Sequence, residues 1–116
     1  MISLRTKESE KIYQEEMKKR DQSVCPFCEE REIITKYKYW FITPNRYPYD
    51  LVYSKSHLLV CRRHVEREED LFVTELEEFN KIKRELLKGA NYDQVLENAS
   101  PRRSIRFHYH IHLCSF

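Results

Sequence analysis

Glycine is almost absent from this sequence: Gly89 is the only one among 116 residues. The phosphate-cradling loops of P-loop and Rossmann proteins need two or three glycines at fixed spacing, so both fingerprints are excluded. Long apolar runs are missing as well, and no stretch approaches the length of a bilayer-spanning helix. Met1 to Glu8 contains no apolar core of a secretory signal, so the expected location is the cytoplasm. In that reducing compartment the four cysteines read as thiols or metal ligands rather than disulfides. Strong charge imbalance is also lacking. A formal net charge of +2 gives no argument for a nucleic-acid partner by itself, although basic residues cluster locally. What is present, 41% hydrophobic and 34% charged residues, suits a folded chain with one modest core. The expected organisation is one domain over residues 1–116, with 1–23 as a helical extension.

Residues 4–22 are highly charged, with Ile12, Tyr13 and Met17 forming a thin apolar stripe at helical spacing. This predicts an N-terminal helix with a largely solvated face. Cys25-Pro26-Phe27-Cys28 reads as a tight knuckle. Ile33 to Thr35 and Tyr37 to Thr43 are rich in β-branched and aromatic residues and predict a hairpin, with Trp40 in the core. The two-proline segment Pro44 to Asp50 predicts a loop that cannot join a central strand. Ser56 to Cys61 predicts a strand ending in the basic turn Arg62-Arg63-His64.

Leu71, Leu76, Phe79, Ile82, Leu86 and Leu87 recur at mostly three- and four-residue steps, and Thr74 to Glu77 has capping-box spacing. A helix over about 74–88, ended by Gly89, follows. Tyr92 to Asn98 and about 104–114 predict the last two strands, separated by the turn Pro101-Arg102-Arg103. The expected class is α+β, a mainly antiparallel sheet with one main helix plus the N-terminal helix.

The final segment carries His108, His110 and His112 at strict alternation. On a strand these imidazoles share one face, about 6–7 Å apart, together with Ser104 and Arg106. Phe107, Tyr109, Ile111 and Leu113 then face the core. A lone strand histidine is usually a satisfied structural residue, but three in register with a serine and an arginine form a chemical surface. Imidazole near neutral pH acts as nucleophile, acid or metal ligand. Attack on phosphorus gives a phosphoramidate, and the attacking ring must be neutral, which nearby cationic groups favour. Hydroxyl and guanidinium donors stabilise the charge that spreads over the non-bridging oxygens.

The Cys25/Cys28 pair supports two readings. A thioredoxin-like redox motif wants a strand before it and a helix opening at the second cysteine, and neither is expected here. Half of a tetrahedral zinc site needs two more ligands. His64, in its turn, is well placed to supply one. Cys61 is a competing ligand, although its place in an apolar run suits a buried thiol, as does that of Cys114.

His108-Tyr109-His110-Ile111-His112-Leu113-Cys114 resembles the signature of the histidine triad family, His-x-His-x-His followed by two apolar residues. The resemblance runs from about Cys25 to the C-terminus, about four-fifths of the chain. Cys25/Cys28 is similar to the knuckle of the zinc-bearing members and of the related galactose-1-phosphate uridylyltransferases. His57 to His64 is similar to the family's strand with its basic-basic-His turn, and Leu96-Glu97-Asn98 to the strand whose Asn lies beside the nucleotide phosphate. The resemblance implies a HIT-like fold and a nucleotide-phosphate hydrolase or nucleotidyl transferase acting at the α-phosphorus. It implies His110 as nucleophile, His112 as phosphate and leaving-group partner, and a structural zinc on Cys25, Cys28, His64 and His108. A homodimer is a further implication, and many relatives continue beyond the position of Phe116 with a segment that closes the site or builds the dimer.

Two departures stand out. The family's usual Gln four residues before the first triad histidine is Ser104 here, and its glycine-rich turn is Ser100-Pro101-Arg102-Arg103. Asn98, Ser104, Arg106 and Asn45 are the candidate substrate-binding residues, Asn45 because its loop carries an aromatic and polar mix suited to a nucleoside. That loop reads equally well as a stiff element packing its tyrosines on the sheet. The alternative function is a nucleotide- or RNA-binding module with little turnover, motivated by the arginine cluster. A third reading is a zinc-stabilised adaptor whose histidines serve only the metal.

Overall fold

The computed structural model describes residues 3–21, 23–89, 91–99, 105 and 107–116. Ser104, Arg106, Arg102 and Arg103 lie outside the described residues, so the expectations placed on them have no structural counterpart here.

The N-terminal helix α1 spans Lys7–Lys19. The Thr6 hydroxyl accepts the Ser9 amide, acidic Glu8 and Glu10 sit in the first turn, and Lys18 and Lys19 in the last, as the helix dipole prefers. None of its residues is buried, so α1 holds its place through polar and aromatic contacts rather than a core face.

Strands β1 (Thr35–Lys36), β2 (Trp40–Pro44), β3 (Lys55–Cys61), β4 (Gln94–Leu96) and β5 (His110–Ser115) form one antiparallel sheet in the order β1-β2-β3-β5-β4. Helix α2 spans Val73–Lys88. Side-chain alternation divides the sheet into two faces. Trp40, Ile42, Leu59, Cys61, Tyr109, Ile111 and Leu113 meet Phe79 and Ile82 of α2 in the main core. Trp40 is fully buried, stacks on Phe79 at 4.6 Å and donates its indole N–H to the Glu75 carbonyl. The opposite face presents Phe41, Leu58 and Val60, packed by Phe27 of the knuckle, and further along His110 and His112.

Several expectations shift in detail. The first hairpin strand is Thr35–Lys36 rather than Ile33–Thr35, because Ile33 packs beside Phe27 instead of entering the ladder. Pro44 closes β2 opposite His57, exposed at the strand end where it disturbs little of the sheet. The cap of α2 is not at Thr74. Phe72 is the N-cap residue, without a side-chain acceptor, and Glu75 reaches back to its amide at 2.7 Å. Leu87 is exposed, and β4 is shorter than its predicted span. The last strand begins only at His110, and Phe107 is 58% exposed rather than in the core. The chain bends before His110, where Tyr109 bonds both to Val65 and to Cys61. Glu30 and Glu32, leaving the knuckle, adopt positive φ of 49° and 54°, a region that glycine usually occupies. No described helix is long and apolar enough to cross a membrane.

A candidate metal centre and histidine cleft

The bend before β5 brings His108 beside the basic turn after β3. The His108 and His64 rings lie 4.9 Å apart, and their Nδ1 atoms are separated by 3.1 Å. The knuckle supplies the other side: Cys25 Sγ is 3.3 Å from His108 Nδ1, and Cys28 Sγ is 3.1 Å from His64 Nδ1. All four donor atoms lie within 4.8 Å of one another. Metal–ligand bonds of about 2.0–2.3 Å imply tetrahedral edges of about 3.3–3.8 Å, so this cluster has the scale of one bound ion. None of the four cysteines forms a disulfide.

Second contacts fit the same reading. His108 Nε2–H donates to the Cys61 carbonyl, which leaves Nδ1 as a lone-pair donor toward the cluster. Burial pushes the His108 pKa down, and burial beside the Cys25 thiol pushes that of Cys28 up. A bound cation would draw the two thiols to thiolates. The donor set therefore fits a metal ion. Cys61, the competing ligand, stays in the core, its thiol 3.8 Å from the Glu75 carboxylate.

His110 and His112 stand on the other side of the bend, on β5, with ring centroids 5.6 Å apart. His110 Nδ1 lies 2.9 Å from the His108 carbonyl. A carbonyl only accepts, so the proton sits on Nδ1 and the lone pair on Nε2. His112 has the opposite support. Its Nε2 faces the Asn98 side-chain amide at 3.2 Å and the Tyr49 hydroxyl at 3.5 Å. Its Nδ1 has no hydrogen-bond partner among the described residues. Burial, followed by the neighbouring His110 and Arg5, pushes the His112 pKa down to about 3. Asn98 reaches this point because β4 pairs Leu96 with His112 and the chain then runs two residues on. Its amide also donates to the Tyr49 hydroxyl at 2.9 Å.

Both histidines open on a cleft of about 790 Å³. Its lining includes Phe27, Phe41 and Leu58 below, Asn45, Tyr47 and Tyr49 of the two-proline loop at one side, and Glu16 and Arg20 of the N-terminal segment above. No family model matches the sequence, and no curated protein matches it either. Solved structures do. A histidine triad protein from Clostridium difficile aligns with a TM-score of 0.60 at 16% identity, over 79% of this chain and 90% of that one. A HIT family hydrolase from Clostridium thermocellum gives the same TM-score, identity and coverage. A third structure, a "Hit Like Protein", aligns at 0.56 and 10% identity, over 90% of this chain and 97% of its own. The fold is HIT-like.

Within this histidine-triad fold, the four expected metal ligands converge, and His110, His112 and Asn98 meet at one end of the cleft. Asn45 lines the cleft, yet its side chain also builds the loop: the oxygen accepts the Tyr47 amide at 3.0 Å and the amide faces Ser56 Oγ at 3.4 Å. The loop packs Tyr49 beside Cys114 of β5 and also borders the cleft.

Three residues escaped the sequence reading. Tyr49 stacks on His112 with centroids 4.8 Å apart and 23° between planes. Arg5 lies over the Tyr49 and Tyr13 rings at 4.8 and 4.0 Å. Glu75, buried in α2, grips Arg63 of the basic turn through two contacts of 2.8 and 3.0 Å. The end of α1 also walls the cleft, with Glu16 from the face expected to be solvated, Met17 from the apolar stripe, and Arg20 at the C-cap.

Proposed function

We propose that the chain is a nucleotidyl hydrolase or transferase that acts at the α-phosphorus through a covalent intermediate on His110. One observation carries this reading most: His110 Nδ1 is held 2.9 Å from a backbone carbonyl, which selects, in the neutral ring, the tautomer with Nε2 as the attacking atom. The Nε2 lone pair forms a bond to phosphorus as the bond to the leaving group breaks, and that group takes a proton from solvent water, matched by the proton released when water later attacks. Water, or another acceptor, then breaks the phosphorus–nitrogen bond and returns the histidine to its starting form. His112 is the phosphate and leaving-group partner in this reading, its ring held through Nε2 by Asn98 and Tyr49. The description of one structural neighbour as a hydrolase supports an enzyme of this class.

The metal is zinc, bound by Cys25, Cys28, His64 and His108. Bound there, it would cross-link the knuckle, the basic turn and the bend before β5, its two charges matched by the two cysteine thiolates. Ser104, Arg106 and Asn45 complete the substrate contacts in this reading, and the protein works as a single-domain cytoplasmic enzyme, assembled as a homodimer.

His110→Ala is the direct test. It is expected to abolish hydrolysis of a nucleoside phosphoramidate or dinucleotide while metal content and circular dichroism stay unchanged. Hydrolysis that continues at the original rate in that variant refutes the mechanism. The basic side chains Arg5, Lys19, Arg20, Arg31 and Arg46 along the cleft favour a second reading, a nucleotide- or RNA-binding module with little turnover. Tight, salt-sensitive oligonucleotide binding without product would establish it.

A further inference from the structure

The N-terminal segment is tied down by its own contacts. The Asp50 carboxylate accepts the Thr6 amide at 2.9 Å at the start of α1 and meets the Ser9 hydroxyl. Leu51 donates to the Leu4 carbonyl at 3.0 Å, and the Tyr47 hydroxyl meets Glu16. Between these anchors Arg5 turns inward until only 10% of its side chain is exposed. Its Nε–H donates to the Tyr47 carbonyl at 2.9 Å, and its outer nitrogen approaches Glu10 at 3.7 Å. The guanidinium lies over the rings of Tyr13 and Tyr49, and the Tyr49 ring in turn stacks on His112. A column therefore runs from α1 to the triad: Tyr13, Arg5, Tyr49, His112.

Resting on the proposed function, we propose that Arg5 is a positioning residue of the active site, acting through Tyr49 to hold the His112 ring in the plane and the Nδ1–H tautomer that its contacts with Asn98 and Tyr49 select. The geometry argues for this in two steps. Tyr49 makes the stacking contact with His112 and shares the Asn98 amide with it, so a shift of Tyr49 disturbs both supports of the ring. Tyr49 is also in contact with a largely buried cation that belongs to the segment before α1. The titratable or charged groups that face His112 are His110 on the same strand, Tyr49 and Arg5, and the fixed charge of Arg5 opposes protonation of the ring. In this arrangement the N-terminal extension is part of the catalytic apparatus.

The test uses the full chain with its metal and the variants Arg5→Ala, Arg5→Gln and Arg5→Lys. Arg5→Gln keeps a donor for the Tyr47 carbonyl without the charge, and guards against a misfolded Arg5→Ala. Arg5→Ala and Arg5→Gln are expected to lower kcat on a nucleoside phosphoramidate about tenfold with KM within about twofold. Arg5→Lys should recover most of the loss. Independently of turnover, the side-chain ¹⁵N resonances of His112 should show one dominant Nδ1–H tautomer in the parent chain and a mixture in the first two variants. Lys11→Ala, on the exposed side of α1, serves as the control. Folded Arg5 variants with unchanged kcat and unchanged His112 resonances overturn the proposal, even if His110→Ala has abolished activity. A parent chain without turnover defeats the function instead, and leaves the His112 resonances to decide the role of Arg5.

Discussion

Glu75 offers a prediction whose size follows from its contacts. Its carboxylate accepts two bonds from Arg63 and one from the Phe72 amide, with side-chain exposure of 3% against 39% for Arg63. Hydrogen bonds to charged groups contribute about 1.5–3 kcal/mol each, and an unpaired buried charge costs more than an exposed one. Glu75→Gln keeps the shape but replaces one acceptor oxygen with a donor, which faces Arg63 in either orientation and the Phe72 amide as well at the Oε1 position. The expected loss is about 2–3 kcal/mol. Arg63→Ala leaves a buried carboxylate with only the Phe72 amide and the Cys61 thiol, and should cost more, about 3–4 kcal/mol. In the opposite case Arg63 still holds the Asp70 carbonyl and the Phe72 ring face, and part of it reaches water. The double variant should fall short of the sum by at least about 1 kcal/mol. Urea denaturation of the metal-loaded protein reports this through Trp40, the only tryptophan, whose indole bonds to the Glu75 carbonyl. The Arg63 bonds hold the Glu75 pKa below its ordinary 4.5. Its stabilising contribution is therefore complete above pH 4.5 and fades as pH falls through the lower folded-state value, so the gap between parent and Glu75→Gln should narrow in acid. Strict additivity, or a Glu75→Gln loss below about 0.5 kcal/mol, refutes the reasoning.

The pKa of His112 stands near 3 in the fold against an ordinary 6.5, so unfolding takes up a proton between those values and stability falls as pH drops through that window. The slope is about 1.4 kcal/mol per pH unit, and His112→Gln should remove it from denaturation midpoints measured between pH 7 and pH 4. Chelation, or Cys28→Ser, should release one metal ion per chain, measured by elemental analysis, and lower the melting temperature; an unchanged melting temperature would show the cluster holds no structural metal. Glu32→Gly relieves a positive φ of 54° and should raise stability by about 1 kcal/mol in the same urea assay.

The sequence made much of this legible where one physical signal acts locally. Apolar periodicity located α2, an apolar run located β3, and the knuckle-plus-turn logic found three of the four candidate metal ligands before any family resemblance was used. What it missed depends on distant pairings. Tyr49 sits in a loop whose sequence suggests only stiffness, and its stacking on His112 exists because β3 and β5 pair in a particular register. Arg5 lies in a stretch that periodicity marks as a solvated helix approach, since a cation sandwiched by tyrosines from two separate segments leaves no periodic trace. Glu75 was passed over for Glu77 because cap spacing was counted from Thr74, whereas the helix starts one residue earlier and uses Phe72 as its cap.

The start of β5 at His110, rather than near residue 104, changes how the triad works as a unit. On a straight strand all three rings share one face, and a metal on the first would crowd the second. The bend separates them: the His108 ring turns to the cysteines while its carbonyl turns to His110 Nδ1. One residue therefore meets the metal cluster with its side chain and sets the tautomer of its neighbour with its backbone. Anything that displaces the cluster also displaces that carbonyl. Under the proposed mechanism, loss of metal should reduce the fraction of His110 with a free Nε2 lone pair even in molecules that remain folded. Activity should then fall further than the folded population does. Comparing the two in Cys28→Ser, by turnover and by Trp40 fluorescence on the same sample, separates this coupling from simple unfolding: equal losses would reduce the metal to a staple.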